Sequence, residues 1–189
     1  MTEYYNEIHT GYLQTVMSLS NSIEAKDAYT RGHCQRVMEI SCEIATRMGF
    51  GEDDIEDLRY AAILHDIGKL EELGESAPDV FDYTLTGSML GHIFIGASWF
   101  NKTVPDDFPA DLRLRITHII LSHHGKLEYG SPVLPQTYEA IIVNRLDDSS
   151  SLLNAVANQY KTYNGTSEFS ERMHKIENQS LYLRPYTTE

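Results

Sequence analysis

Apolar residues recur along this chain three and four positions apart, the period of helices with one buried face. Tyr5, Ile8, Tyr12, Val16, Leu19 and Ile23 predict a first amphipathic helix from Glu3 to about Ala25, with His9 on its surface side. A break at 26–32 rich in cap-forming residues precedes a second helix. Its inner face reads His33, Val37, Ile40, Ile44 and Met48, and Gly49 ends it. Glu52, Asp53 and Asp54 place negative charge at the start of a third helix, where the helix dipole favours it. Ile55, Leu58, Ala62 and His65 form the stripe of that helix, and Gly68 supplies its end. Residues 71–86 read as a long polar connection, of the kind that serves as a lid or substrate wall.

A fourth helix carries Met89, His92, Ile93, Gly96 and Phe100 on one side, and Gly91 and Gly96 allow close backbone approach. A fifth aligns Leu112, Ile116, Ile119, Ile120 and His123, which leaves His118 off the inner face. A sixth, from about Pro135 to Tyr160, aligns Ala140, Val143 and Asp147, with Asp148 turned outward by about 100°. Beyond Lys161 the chain turns polar, shows a short helical pattern around Phe169, Met173 and Ile176, and ends with Leu181-Tyr182-Leu183 docking on the body. The expectation is a single all-α domain over 1–189, its core at about 27–160 and a polar segment 161–189 packed on it.

Composition narrows the function. With 189 residues the chain can bury a substantial core. No apolar run approaches the roughly 20 residues of a membrane span and the N-terminus is not signal-like, so a cytoplasmic protein is expected, with no membrane partner. Cys34 and Cys42 share one predicted helix about 12 Å apart, too far for a disulfide, and read as core or half-buried thiols in a reducing compartment. A formal charge of −13 argues against long nucleic acid as a partner. It leaves room for a short anionic substrate held through metal ions, and for a homo-oligomer.

The chemistry lies in polar residues on the inward stripes. His33, His65 with Asp66, His92, His123 with His124, and Asp147 each arrive on a different helix. Singly, an inward histidine is more often a structural core residue, whereas Asp147, facing inward among alanine and valine, is poorly explained by packing. Together they are a set of buried polar groups that need a common partner, because each left alone costs several kcal/mol. Donors of nitrogen and oxygen without thiolate suit Mn, Fe, Zn, Co or Ni. Seven ligands exceed what one catalytic ion takes with a position left open, so two ions are expected, roughly 3.5–4 Å apart and bridged by Asp66. Arg36, one turn after His33, is a salt-bridge residue or a phosphate contact. Lys69 caps a helix or reaches an anion at the metals.

The order His33, His65-Asp66, Asp147 resembles the H…HD…D pattern of HD-domain metal-dependent phosphohydrolases. The segment 26–33 with Arg36-Val37 is similar to the entry of HD-GYP cyclic-di-GMP phosphodiesterases. From His65 onward the chain looks more like YhaM-type 3′–5′ exoribonucleases. The matching stretches are Leu90-Gly91-His92-Ile93, Gly96-Ala97, Ile120 to Glu128 around His123-His124-Gly125, Gly130-Ser131-Pro132 and Glu139-Ala140.

The resemblance implies a helical HD bundle with His33, His65, Asp66 and Asp147 on one divalent ion. Asp66, His92, His123 and His124 would hold a second, with Mn, Fe, Ni, Co, Zn or Mg as candidates. It implies that Lys69 contacts the scissile phosphate beside the catalytic Asp66, that Lys126 contacts phosphate more distantly, and that a metal-bound hydroxide attacks phosphorus. The Gly-Tyr-Pro segment of the cyclic-di-GMP enzymes is replaced here by Gly125-Lys126-Leu127-Glu128-Tyr129-Gly130-Ser131-Pro132. The exoribonucleases carry an N-terminal oligonucleotide-binding domain, and without one processive work on long RNA is not expected. The substrate expected is a nucleotide, a cyclic (di)nucleotide or a short oligonucleotide. Two alternatives stay open: a phosphomonoesterase of small molecules or nucleotides, and a non-enzymatic HD signalling module.

Overall fold

Helical periodicity becomes helices almost throughout the computed structural model, which describes residues 14, 17–26, 32–78, 80–163 and 167–183. A helical stretch, 17–26, leads to α1 (His33–Arg47), α2 (Glu52–Leu64) and the short α3 (Lys69–Glu72). The hairpin β1 (Leu73–Ala77) and β2 (Val80–Tyr83) follows, then α4 (Leu85–Thr103), α5 (Ala110–Ser122) and α6 (Tyr138–Thr162). A second hairpin, β3 (Phe169–Met173) and β4 (Gln179–Tyr182), closes the described chain. The fold is all-α, with two small antiparallel hairpins added. Two compact units divide at Asp147 and Asp148, and α6 runs through both.

In the first unit, one core draws on five helices. Val37, Met38, Cys42 and Ala45 of α1 pack with Leu58, Ala61, Ala62 and Ile63 of α2. Ala97 and Phe100 of α4, Ile116, Ile119 and Ile120 of α5, and Ala140 and Val143 of α6 complete it. Each large aliphatic or aromatic side chain buried here contributes about 1.5–3 kcal/mol. Arg115 ties three helices at the rim, donating to Asp111 of its own helix, Asp57 of α2 and Glu139 of α6. Both cysteines are buried and free. Among the described residues, no helix is long and apolar enough to cross a membrane.

Several expectations are revised. Tyr5, Ile8, His9, Tyr12 and Val16 lie outside the described residues. On α1 the inner face is His33, Cys34, Val37, Met38, Ser41, Cys42 and Ala45, whereas Ile40 and Met48 are exposed. Small side chains line that face and let α1 lie close to α2. Gly49 does end the helix, at φ 82: the Gly49 amide donates to Thr46 and the Phe50 amide to Ala45, as in a Schellman cap.

Gly68 does not end α2 by its conformation, since its φ is −65. It is needed for contact: a Cβ there would sit 2.0 Å from the His92 carbonyl oxygen and 2.7 Å from the Gly96 nitrogen. Gly91 serves differently from Gly96. At φ 70, ψ 151 it breaks α4, and this throws Met89 out of phase into solvent while Ile93, Gly96 and Phe100 stay buried. The connection 71–86 contains the β1–β2 hairpin, with a bulge between Glu75 and Ala77.

In the second unit, the stretch read as a short helix around Phe169 is also a hairpin. A spacing of four suits both a helix and a strand, and here Phe169 stacks across the strands on Tyr182 at 5.3 Å.

Gly68→Ala should lower stability by about 3 kcal/mol, because the added methyl meets the α4 backbone at His92 and Gly96, which cannot yield. Gly130→Ala, at φ 92 with open space around it, should cost only about 1–2 kcal/mol. Urea unfolding of both variants checks the difference, and similar losses would contradict the close packing assigned to Gly68.

Candidate metal centre

Four histidines are delivered by helix ends. His33 opens α1 and His92 opens the part of α4 that restarts after Gly91. His65 caps the C-terminus of α2 and His123 that of α5, each followed at once by a second polar residue, Asp66 or His124. Asp147 comes from within α6. The seven expected residues converge. Ring centroids run His33 to His65 at 5.6 Å, His65 to His123 at 5.0 Å, His123 to His124 at 4.4 Å, and His124 to His92 at 5.0 Å.

The rings are oriented by their outer nitrogens. Nδ1 of His65 donates to the Ala62 carbonyl at 2.7 Å and Nδ1 of His123 to Ile120 at 2.8 Å, the same three-residue reach at two helix C-termini. His124 Nδ1 donates to Tyr129 at 2.8 Å. A carbonyl oxygen only accepts, so Nδ1 carries the proton in all three and Nε2 is left as the free donor atom. His92 Nδ1 lies 3.1 Å from the buried carboxylate of Glu72.

Asp66 stands at the middle. Its Oδ1 lies 3.5 Å from His92 Nε2 and 3.6 Å from His123 Nε2, while Oδ2 lies 3.4 Å from His65 Nε2 and 2.7 Å from Lys69 Nζ. Asp147 Oδ1 is 3.0 Å from His33 Nε2 and 3.9 Å from His65 Nε2.

The donor set passes a direct test of fit to divalent ions. Nε2 of His65, His92 and His123 are buried and make no hydrogen bond among the described residues. Charge-assisted hydrogen bonds close to about 2.7–2.9 Å, so the 3.4–3.6 Å gaps to Asp66 are too wide for them. Two donors on one tetrahedral ion at about 2.0–2.1 Å stand roughly 3.4 Å apart, which matches. Three overlapping sets could each hold an ion: His33, His65 and Asp66; His65, His123 and Asp147; His92, His123 and His124.

Electrostatics point the same way. Burial opposes the charge on Asp66, but Lys69 and His65 outweigh it and hold the carboxyl well below its usual range. Burial likewise opposes the charge on Asp147, yet His33 and His65 bring it to about 2. Burial presses His65 toward neutrality, but Asp66 and Asp147 overcome that and raise it to about 9. His123, buried beside His65, falls to about 4, the neutral form that binds metal. The carboxylates that raise His65 supply the same field that a cation would meet there.

A family model described as HD domain matches residues 30–152. The chain belongs to the HD-domain family. Among curated proteins it is similar to the 3′-5′ exoribonuclease YhaM of Shouchella clausii (strain KSM-K16), 30% identical over 196 residues. It is also similar to that of Bacillus subtilis (strain 168), 38% identical over 128 residues. These alignments take in 96% and 67% of this chain, and 60% and 40% of the relatives' lengths, so the chain spans about half of each. No solved structure matches.

Not every expected site residue lies against the histidine and aspartate cluster. Lys69 does, through Asp66. Arg36 is exposed on α1, with its guanidinium over Gly32. Lys126 is exposed, 3.3 Å from the Tyr129 hydroxyl and 3.7 Å from Glu128. His118 accepts from the Gln136 amide at 2.9 Å and anchors the loop before α6.

Sequence reasoning missed Glu24, Glu72 and Asn144. Glu24 accepts from the Gly32 and Cys34 amides and caps α1. The Asn144 amide donates to the His123 carbonyl at 2.8 Å, and a Cβ at Gly125 would strike that side chain. Asn144 shares the face of Ala140, Val143 and Asp147, and that spacing could have flagged it; Glu24 and Glu72 lie on no such stripe. A polar residue's burial is legible only when its neighbours at helical spacing are apolar.

An ion bound by His65 would have to displace the proton on that ring, so metal uptake there should release protons. Affinity should rise about tenfold per pH unit from about pH 7, flattening near pH 9, where His65 is already neutral. Titration calorimetry in buffers of different ionisation enthalpy measures the release. Affinity that does not change over this range would contradict the assignment of His65 as a ligand.

Proposed function

We propose that this HD domain is a metal-dependent phosphohydrolase acting on a nucleotide phosphodiester: a short oligonucleotide, or a cyclic (di)nucleotide. The observation that carries the reading is the trio of unsatisfied imidazole nitrogens, His65, His92 and His123, around the Asp66 carboxylate, with Lys69 at 2.7 Å. The relatives' name, 3′-5′ exoribonuclease, favours a diester over a monoester and an RNA end over a cyclic dinucleotide.

Two divalent ions are proposed. His33, His65, Asp66 and Asp147 would hold one, and Asp66, His92, His123 and His124 the other. Ions so placed lower the pKa of a water and neutralise charge building on a phosphoryl group. Asp66 turns a different oxygen to each side, which suits a shared ligand. Lys69 can turn its ammonium from Asp66 to a phosphoryl oxygen and so stabilise the charge that develops there. Arg36 and Lys126, exposed near His33 and His124 in sequence, are proposed as outer phosphate contacts. A cytoplasmic setting fits two buried, unpaired thiols.

The test is metal analysis of the purified protein, followed by bis-p-nitrophenyl phosphate, mononucleotides and short oligoribonucleotides as substrates. Asp66→Ala should lose bound metal and activity together; an active, metal-loaded variant would overturn the reading. Lys69→Met should keep its metal while kcat falls by about 10²–10³-fold. Phosphate release from mononucleotides alone would make the protein a phosphomonoesterase. Full metal occupancy without turnover on any of these substrates would make it a regulatory module.

A further inference from the structure

His92 differs from the other oriented imidazoles in what holds it. His65 and His123 end helices, so a carbonyl from the preceding turn lies behind each ring. His92 begins one, and no preceding turn stands behind it. After Gly91 breaks the helix at φ 70, ψ 151, the first amides of the new segment need acceptors from elsewhere. Glu72 supplies one. Its Oε1 accepts from the His92 backbone amide at 2.8 Å and from His92 Nδ1 at 3.1 Å, so one oxygen fixes both the chain and the ring.

Glu72 is itself held in place. Its amide donates to the Gly68 carbonyl at 3.0 Å, and its own carbonyl accepts from the Thr84 amide at 2.9 Å. A Cβ at Gly87 would sit 2.3 Å from that carbonyl, so α4 presses directly on the Glu72 backbone. The side chain is buried, and a buried carboxylate is tolerated only when its partners repay the desolvation. Here the partners belong to a single histidine.

We propose that Glu72 is the positioning residue of His92. It fixes the ring with Nδ1 protonated and Nε2 turned toward Asp66, and its charge makes the imidazole a stronger ligand. Glu72 thereby sets the affinity of the ion that His92 shares with His123 and His124. This rests on the metal-centre reading above.

The test compares the full chain with Glu72→Gln, Glu72→Ala and His92→Ala, and with each Glu72 variant combined with His92→Ala. Co(II) affinity is measured by calorimetry, and Co(II) absorption reports the ligand field. Glu72→Gln, which keeps the acceptor but loses the charge, should weaken one ion about tenfold, and Glu72→Ala toward a hundredfold. In the His92→Ala background neither should weaken binding further. Where Glu72→Ala does not fold, the Glu72→Gln cycle alone decides. Unchanged Co(II) affinity in Glu72→Gln, or an equal loss with and without His92, would overturn the inference and leave Glu72 a helix cap. A wild-type chain that takes up no Co(II) would overturn the metal-centre reading as well.

Discussion

A carboxylate at the centre of a protein is expensive, and Asp66 is almost completely buried. Charge taken out of water costs several kcal/mol even after the surroundings relax, and it stays charged only where cationic partners surround it. Much of the first unit can be read as the apparatus for doing this. Lys69 comes from the next turn of chain and His65 from the preceding residue as the charged partners, and His92 and His123 bring further imidazole nitrogens from helices distant in sequence. Asp147 adds a second carboxylate with its own histidine. The apolar core beneath keeps these elements close enough for the arrangement to persist.

Helix ends do most of the positioning, and in two ways. A histidine at a C-terminus finds a carbonyl one turn back, and His65 and His123 use this device identically. A histidine at an N-terminus has no such support. Before His33 and before His92 stands a glycine of positive φ, and beyond each glycine a buried glutamate accepts the opening amides. Glu24 and Glu72 thus play matching structural parts. The close crossing of Gly68 on Gly96 brings the turn bearing Asp66 down onto α4, and without that approach His92 could not face Asp66.

How much of this could be read from the chain follows from what each feature depends on. Asp66 and Asp147, and histidines such as His65 and His123, interrupt apolar stripes, so the polar residues that break a hydrophobic pattern were visible as a set. The α1 face was misjudged because small residues such as Ser41 and Ala45 bury easily without raising hydrophobicity, while Ile40 can stay in solvent. Met89 was misplaced because one dihedral at Gly91 reset the helical phase, and periodicity carries no record of φ. Phe169 and Met173 satisfied two periods at once. Glu72 sits beside an exposed Glu71 in a run of charged residues, and only the tertiary approach of α4 decides which of the two is buried.

The acidity of the chain, −13 overall, would repel a phosphate if the site carried the same sign. Near Asp66 carboxylates outnumber cations: Asp66, Glu72 and Asp147 all titrate below their ordinary range, against Lys69 and a His65 raised to about 9. An anionic substrate could not approach that cluster by itself. Divalent cations held there would reverse its sign locally, within a chain of net charge −13. A long polyanion would meet that surface along its whole length, whereas a phosphodiester a few nucleotides long would meet little beyond the centre. Under the proposed phosphodiester reading, the charge of the domain would by itself favour short substrates over long ones.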